Sequence, residues 1–121
     1  MKEKIYNIGV EATMEVIGGK WKPIILCNLR YNALRPSDLQ RKIPNISQKM
    51  LIQQLRELEA DDIVVRKIYQ QIPPKVEYYL SEYGMSLSNV LDVLCNWGEF
   101  HVNHLKEQGK KVSLRCSKHL D

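Results

Sequence analysis

SQKMLIQQLRELEADD, residues 47–62, is the stretch whose reading decides the fold. Leu51, Leu55 and Leu58 recur at i, i+4 and i+7, which makes one apolar stripe on a helix. At about 100° per residue, Lys49, Gln53 and Arg56 project from the other side, with Ile52 among them and Gln48 at one edge. The acids are held back to Glu57, Glu59, Asp61 and Asp62. Amide and guanidinium groups read base edges with paired hydrogen bonds, and lysine finds phosphates. An acid-free front half suits a helix whose leading end meets a polyanion. For this helix taken alone, a solvated outer face of chance composition is the competing reading, and its neighbours bear on the choice.

Immediately upstream, Arg35-Pro36-Ser37-Asp38 opens a short helix with Leu39 and Ile43 directed to the core. Proline suits the first turn of a helix, where amides have no intrahelical partner. Pro44-Asn45 ends that helix, because the residue before a proline is biased away from helical geometry. Ser47 is then the expected N-cap of the longer helix. A short helix, a brief turn and a longer helix with a polar outer face make a helix-turn-helix. Further upstream, residues 1–9 read as an extended arm. Val10, Met14 and Ile17 give a helical stripe that Gly18-Gly19 terminates. A second helix is expected over residues 20–30, with Trp21, Ile24, Ile25 and Leu29 as its buried stripe and Cys27 in or beside it. Residues 31–34 read as a turn. GGKW lacks the glycine spacing and the Ser or Thr of a phosphate-cradling loop.

Downstream the period changes. Residues 63–69 are β-branched and short, as a strand should be, and 76–80 form a second strand-like run. Gln70, Gln71 and a proline pair separate them, so a hairpin follows the helix-turn-helix as a wing. Ser81 is expected to cap a helix reaching residue 106. Its apolar positions Leu87, Val90, Leu91, Leu94, Trp97 and Leu105 are widened by Val93, Phe100 and Val102. That surface exceeds what a small core covers, so it packs on the first helix, pairs with a second copy, or both. The predicted fold is α+β, mostly α: a winged helix-turn-helix domain with a two-stranded wing and a long C-terminal dimerisation helix. One domain spans 1–121, divided into a DNA-binding core (10–80), dimerisation elements (1–9 and 81–107) and a flexible basic tail (108–121).

A chain of 121 residues, 44% hydrophobic and 26% charged, fits one globular domain. The net charge of +4 is a mild bias toward anionic partners. No apolar run approaches the roughly 18 residues of a membrane span. The three cysteines are too few and scattered for a disulfide framework, which points to a reducing, cytoplasmic setting.

Three motifs carry a resemblance. Ile17-Gly18-Gly19-Lys20-Trp21, the run from Ile46 through Ser47-Gln48-Lys49-Met50-Leu51 to Glu59, and Pro73-Pro74-Lys75-Val76-Glu77-Tyr78 are together similar to the HxlR-type family of bacterial winged helix-turn-helix transcription regulators. The resemblance covers residues 10–99. It implies a homodimer on an inverted-repeat operator, with the long helix in the major groove and the wings beside it. Two positions depart from the family pattern. Many members carry a redox-sensing cysteine where this chain has Ile8, and the short helix usually opens Arg-Phe where Arg35 is here followed by Pro36. Ile8 can neither ionise nor oxidise, Cys27 falls in an apolar stripe, Cys95 is expected at the dimer seam and Cys116 in the tail, so thiol sensing is not expected of this chain. The sequence does not decide whether Cys95 or Cys116 has a redox role.

The expected base-reading residues are Ser47, Gln48, Lys49, Ile52, Gln53 and Arg56, with Ile52 set to touch a thymine methyl. Lys20, Arg35, Lys67, Gln70, Gln71 and Lys75 are the expected phosphate contacts. Leu87, Leu91, Leu94, Trp97 and His101 are the expected dimer seam. His101, His104, Cys116 and His119 invite a metal reading, but no third ligand stands at a recognised spacing, so neither a metal nor a cofactor is expected. No nucleophile, base and orienting acid assemble at motif spacing, and an enzyme is not expected. Two classes stay in view: a sequence-specific DNA-binding regulator acting as a homodimer on double-stranded DNA, and a winged-helix protein–protein interaction module. A polar and basic outer face on residues 47–56 favours the first; an apolar or acidic one favours the second. Any small-molecule effector is left unidentified by the sequence, as are the operator, its genes and the sign of regulation.

Overall fold

A computed structural model describes residues 2–115 of the chain. In order these are α1 (Gly9–Ile17), α2 (Lys22–Leu29), α3 (Pro36–Lys42), α4 (Gln48–Ala60), β1 (Val64–Tyr69), β2 (Lys75–Leu80), a 3₁₀ turn (Gly84–Leu87) and α5 (Ser88–Glu107). The architecture is mostly helical with one two-stranded antiparallel sheet, as the change of period at residue 63 predicts.

The core forms where the stripes meet. Ile25, Leu26 and Leu29 of α2, Leu39 of α3, and Leu51, Leu55 and Leu58 of α4 are buried together with Leu91 of α5. Ile63, Val64, Tyr78 and Leu80 close it from the wing side. Removing these side chains from water is the main favourable contribution to folding, at about 25 cal/mol per Å² of apolar surface. On α2 the buried set differs from the expected one. Ile25 and Leu29 are buried as expected, but Leu26 joins them, fully buried, whereas Ile24 is exposed and Trp21, at the N-cap, is half-buried. The α1 stripe also differs. Only Ile17 is buried there, and Val10 and Met14 face solvent.

Caps set the element ends. Ser47 Oγ accepts a hydrogen bond from the Met50 amide at 3.0 Å, the expected N-cap of α4. In the turn between α3 and α4, Ile43 and Ile46 point into the core while Asn45 takes φ 72°. Gly19, at φ 86°, supplies the left-handed residue after α1. Gly18 is extended instead and accepts no side chain, since a Cβ there would lie 2.2 Å from the Met14 carbonyl oxygen.

The wing pairs from Val64↔Leu80 to Tyr69↔Lys75. Residues 31–34 do more than turn. Leu34 exchanges both backbone hydrogen bonds with Tyr78, at 2.9 and 2.8 Å, so the segment before α3 is stitched to the wing. Ser81 does not cap α5 as expected. Its hydroxyl donates to the Asp62 carbonyl at 2.6 Å and accepts from the Gly84 amide at 2.8 Å, so it caps the 3₁₀ turn that precedes α5. Gly84 lies directly on the Ile63 carbonyl, where an added Cβ would come within 2.1 Å of the oxygen. Gly84→Ala should therefore lower stability by about 1–3 kcal/mol by overpacking, seen as an earlier urea midpoint with an unchanged slope.

Candidate nucleic-acid interface

With Leu51, Leu55 and Leu58 turned inward, the opposite side of α4 is free. Ser47, Gln48, Lys49, Gln53 and Arg56 are all exposed, and Ile52 is half-buried between them. Gln48, Lys49, Ile52, Gln53, Arg56 and Glu57 line one shallow groove along the helix. The six expected base-reading residues are thus brought onto one surface.

The one acid on that groove does not stand alone. Glu57 Oε1 accepts from Lys22 Nζ at 2.6 Å, and its Oε2 accepts from Gln53 Nε2 at 3.3 Å. Lys22 is buried, and its ammonium reaches from the start of α2 to the middle of α4. The pair locks α2 to α4 and masks a carboxylate that would otherwise repel phosphate. It also holds the Gln53 amide in one orientation. The bond from Lys22, then that from Gln53, keeps the Glu57 carboxyl below its ordinary value of 4.5. Sequence reading did not find Lys22, because a lysine next to a proline at a helix start gives no periodic signal.

The expected phosphate contacts fall at the two ends of this face. Arg35 stands exposed at the start of α3, where its amide donates to Asp38 Oδ2 at 3.2 Å. That amide and then the Arg41 guanidinium hold the Asp38 carboxyl below its usual range. Lys20 is exposed, with its ammonium 4.6 Å from the Trp21 ring centroid. On the wing, Lys67 and Lys75 flank the Tyr69 ring at 4.9 and 4.8 Å, while Gln70 and Gln71 are exposed at the tip. Lys75 also pairs with Glu77 at 3.4 Å, so it presents less free charge than its position in sequence suggests. Between wing and α4, Arg56 and exposed Arg66 line a second recess with Glu59, Pro36, Ile52, Val76 and Tyr78. Arg66 is a further cation on this side, passed over in the sequence because its strand reads only as β-branched.

The expected seam residues separate. Leu94 and Trp97 are 48% and 62% exposed, and His101 is exposed with its ring stacked on Trp97 at 5.1 Å. Val93 and Phe100 extend the same outward strip. Leu91 is corrected: it is fully buried in its own chain's core and serves that core. Leu87 is half-buried against the core and lines a recess of about 210 Å³ with Ala12, Thr13, Val16, Ile63, Tyr83 and Ser86. Among the described residues no three His, Cys, Asp or Glu side chains converge, and Cys116 and His119 lie outside them. No helix among the described residues is long and apolar enough to cross a membrane.

A short helix, a tight turn, a longer helix with a polar and basic outer face and a two-stranded wing together define a winged helix-turn-helix protein. Residues 16–106 match the family described as HxlR-like helix-turn-helix, and the chain belongs to that family of helix-turn-helix transcriptional regulators. It is 62% identical over 105 residues to the uncharacterised HTH-type transcriptional regulator YtcD of Bacillus subtilis (strain 168), covering 87% of this chain and 83% of that one. The crystal structure of ytcD superposes with a TM-score of 0.76 at 60% identity, over 79% of this chain and 98% of that chain. The redox regulator HypR in its reduced form superposes with a TM-score of 0.77 at 46% identity, over 81% of this chain and 97% of that chain.

The Lys22–Glu57 pair carries a pH signature. A carboxyl held below its unfolded value contributes stability above that value and loses it as pH falls through the folded one. Wild type should therefore melt above Glu57→Gln at neutral pH, and the two should converge as pH falls below the carboxyl's ordinary 4.5. Parallel melting curves from pH 7 to pH 3 check this.

Proposed function

We propose that the protein represses or activates transcription as a homodimer, bound to an inverted-repeat operator through α4. The observation that carries this reading is the outward face of α4. It gathers Ser47, Gln48, Lys49, Gln53 and Arg56 around Ile52; of its acids, Glu57 in the groove is already paired to Lys22, and Glu59 stands further along beside Arg56 and Arg66. Amide and guanidinium groups at that spacing match the edges of adenine and guanine in the major groove. Lys20, Arg35, Lys67, Arg66 and the wing glutamines then track the flanking phosphates, which fix position without reading sequence. An acidic or apolar face there would have favoured a protein partner.

Dimerisation is supported by what α5 leaves uncovered. Val93, Leu94, Trp97 and Phe100 on α5 are exposed, as are Ile5, Ile8, Val10 and Met14 on the arm and α1. Monomeric proteins rarely leave large contiguous apolar patches in water, and two such sets on one chain support a partner of the same kind. In this division residues 10–80 bind DNA, while 1–9 and 81–107 join the copies. One recognition helix spans only a few base pairs, so a second copy also doubles the site read. The recess beside Leu87 and Tyr83 is where a small effector would lie between core and seam.

Selection of bound fragments from a random DNA library gives the operator. Gln53→Ala should then lose about 1–3 kcal/mol at its own base pair, whereas Lys67→Ala should weaken every sequence alike and flatten the salt dependence. Uniform loss for both would remove Gln53 from base reading. For the seam, Trp97→Arg should give monomers by light scattering and operator binding at least tenfold weaker; a wild-type monomer at micromolar concentration would contradict the dimer.

A further inference from the structure

Cys27 and Cys95 lie 68 positions apart in sequence, yet their sulfurs are 3.9 Å apart across the junction of α2 and α5. Both thiols are half-buried. Cys95 stands one helical turn beyond Leu91, on the inner side of α5, whereas Val93, Trp97 and Phe100 look outward. One turn further along α2, Arg30 crosses the same junction. Its Nη2 is 2.7 Å from Asp92 Oδ1 and donates to the Ser88 carbonyl at 3.2 Å. The Arg30 side chain is only 6% exposed, and its Nε and Nη1 are buried with no hydrogen-bond partner among the described residues. The joint between the DNA-binding core and α5 is therefore two touching thiols beside a buried guanidinium, in a core otherwise built from Leu and Ile. The sequence weighs Cys27 and Cys95 one at a time; their contact is what changes the expectation for thiol chemistry.

We propose that Cys27 and Cys95 are a reversible dithiol–disulfide site, oxidised by hydroperoxides, whose bond fastens α5 to α2 within one subunit and so resets the dimer for DNA. The regulatory half of this rests on the function proposed above. A disulfide places its sulfurs about 2.0 Å apart, so they must approach by nearly 2 Å from the observed contact. Because α5 carries the proposed seam, that movement passes to the second copy. The bond differs from the arm-cysteine sensor of the resemblance, whose place here is taken by Ile8.

The chemistry balances as follows. The thiolate of Cys95 attacks the terminal oxygen of a hydroperoxide, the O–O bond breaks, and an alcohol (water for hydrogen peroxide) departs, leaving a sulfenic acid. Cys27 attacks the sulfenyl sulfur, the S–S bond forms, the S–O bond breaks, and hydroxide leaves with the Cys27 proton as water. Two thiols have together given two electrons to one peroxide. Two equivalents of a small thiol reverse the bond by exchange. Burial first, then the neighbouring Cys95, push the Cys27 thiol up to about 12, so the thiolate that closes the bond is scarce at neutral pH, although the Arg30 guanidinium pulls the other way. Oxidation at neutral pH is accordingly slow and needs sustained peroxide.

The experiment uses the full chain carrying Cys116→Ser, reduced and then treated with hydrogen peroxide. The expected result is a loss of about 2 Da, monomer mobility on a non-reducing gel, and tryptic peptides 21–30 and 76–106 joined through Cys27 and Cys95. Melting should rise by about 5–10 °C, because the bond closes a long loop. Affinity for the selected operator should shift at least fivefold, and dithiothreitol should reverse every change. Cys27→Ala and Cys95→Ala should each abolish the response. A bridge between subunits, over-oxidised cysteines without a link, or a link that leaves operator affinity unchanged would each overturn the proposal. Should either alanine variant fail to fold, the peptide map of the parent still decides it. Should the protein select no DNA, the regulator reading fails, while mass and melting still decide the disulfide.

Discussion

The burial of Leu51, Leu55 and Leu58 is the constraint on which the rest of this structure depends. All three are fully removed from water, and because they lie on one helical stripe they fix the rotation of α4 about its axis. A helix held by three leucines against α2, α3 and the wing has only one outward face. That face is the surface of Gln48, Lys49, Gln53 and Arg56. Which side chains α4 presents is thus set by apolar packing on the far side of the same helix. Lys22–Glu57 adds the electrostatic complement, since the one acid on the groove is satisfied from within the fold. With Glu57 half-exposed, the pair contributes modestly to stability; its further consequence is orientation, because Glu57 also holds the Gln53 amide.

The second joint of the molecule is between that core and α5. It rests on Leu91, on the Arg30–Asp92 pair and on the Cys27–Cys95 contact. α5 then runs on to Glu107 with Val93, Leu94, Trp97 and Phe100 on the side away from the core. Two faces of one helix therefore have two tasks. The inner face packs α5 on the core, and the outer face is the one proposed to meet a second copy. On the proposed reading, closing the thiol contact would shift α5 and with it the spacing of two recognition helices.

Much of this was legible in the sequence, and the reasons are physical. The period of α4 gives its buried face and therefore its exposed one. Pro36, Pro44 and Ser47 mark the ends of α3 and the start of α4, because proline and an N-cap serine act on the backbone locally. What the sequence leaves open depends on contacts between distant positions. Leu34 pairing with Tyr78, Lys22 reaching Glu57 and Cys27 meeting Cys95 are each long-range, and no periodicity announces them. Leu91 illustrates the same limit. Its spacing places it on the apolar side of α5, but spacing alone does not say whether that side meets its own core or another chain. Ser81 likewise looks like a helix cap, and it does cap a helical turn, one short element earlier than expected.

On the proposed reading, two copies of α4 enter successive major grooves of one DNA duplex. A hydroxyl-radical footprint on an operator selected from random DNA tests it most directly. The account predicts two protected patches related by a two-fold axis, with centres about 34 Å apart or a multiple of one DNA turn. A single patch of half that extent, or protection that slides without register along any sequence, would contradict it.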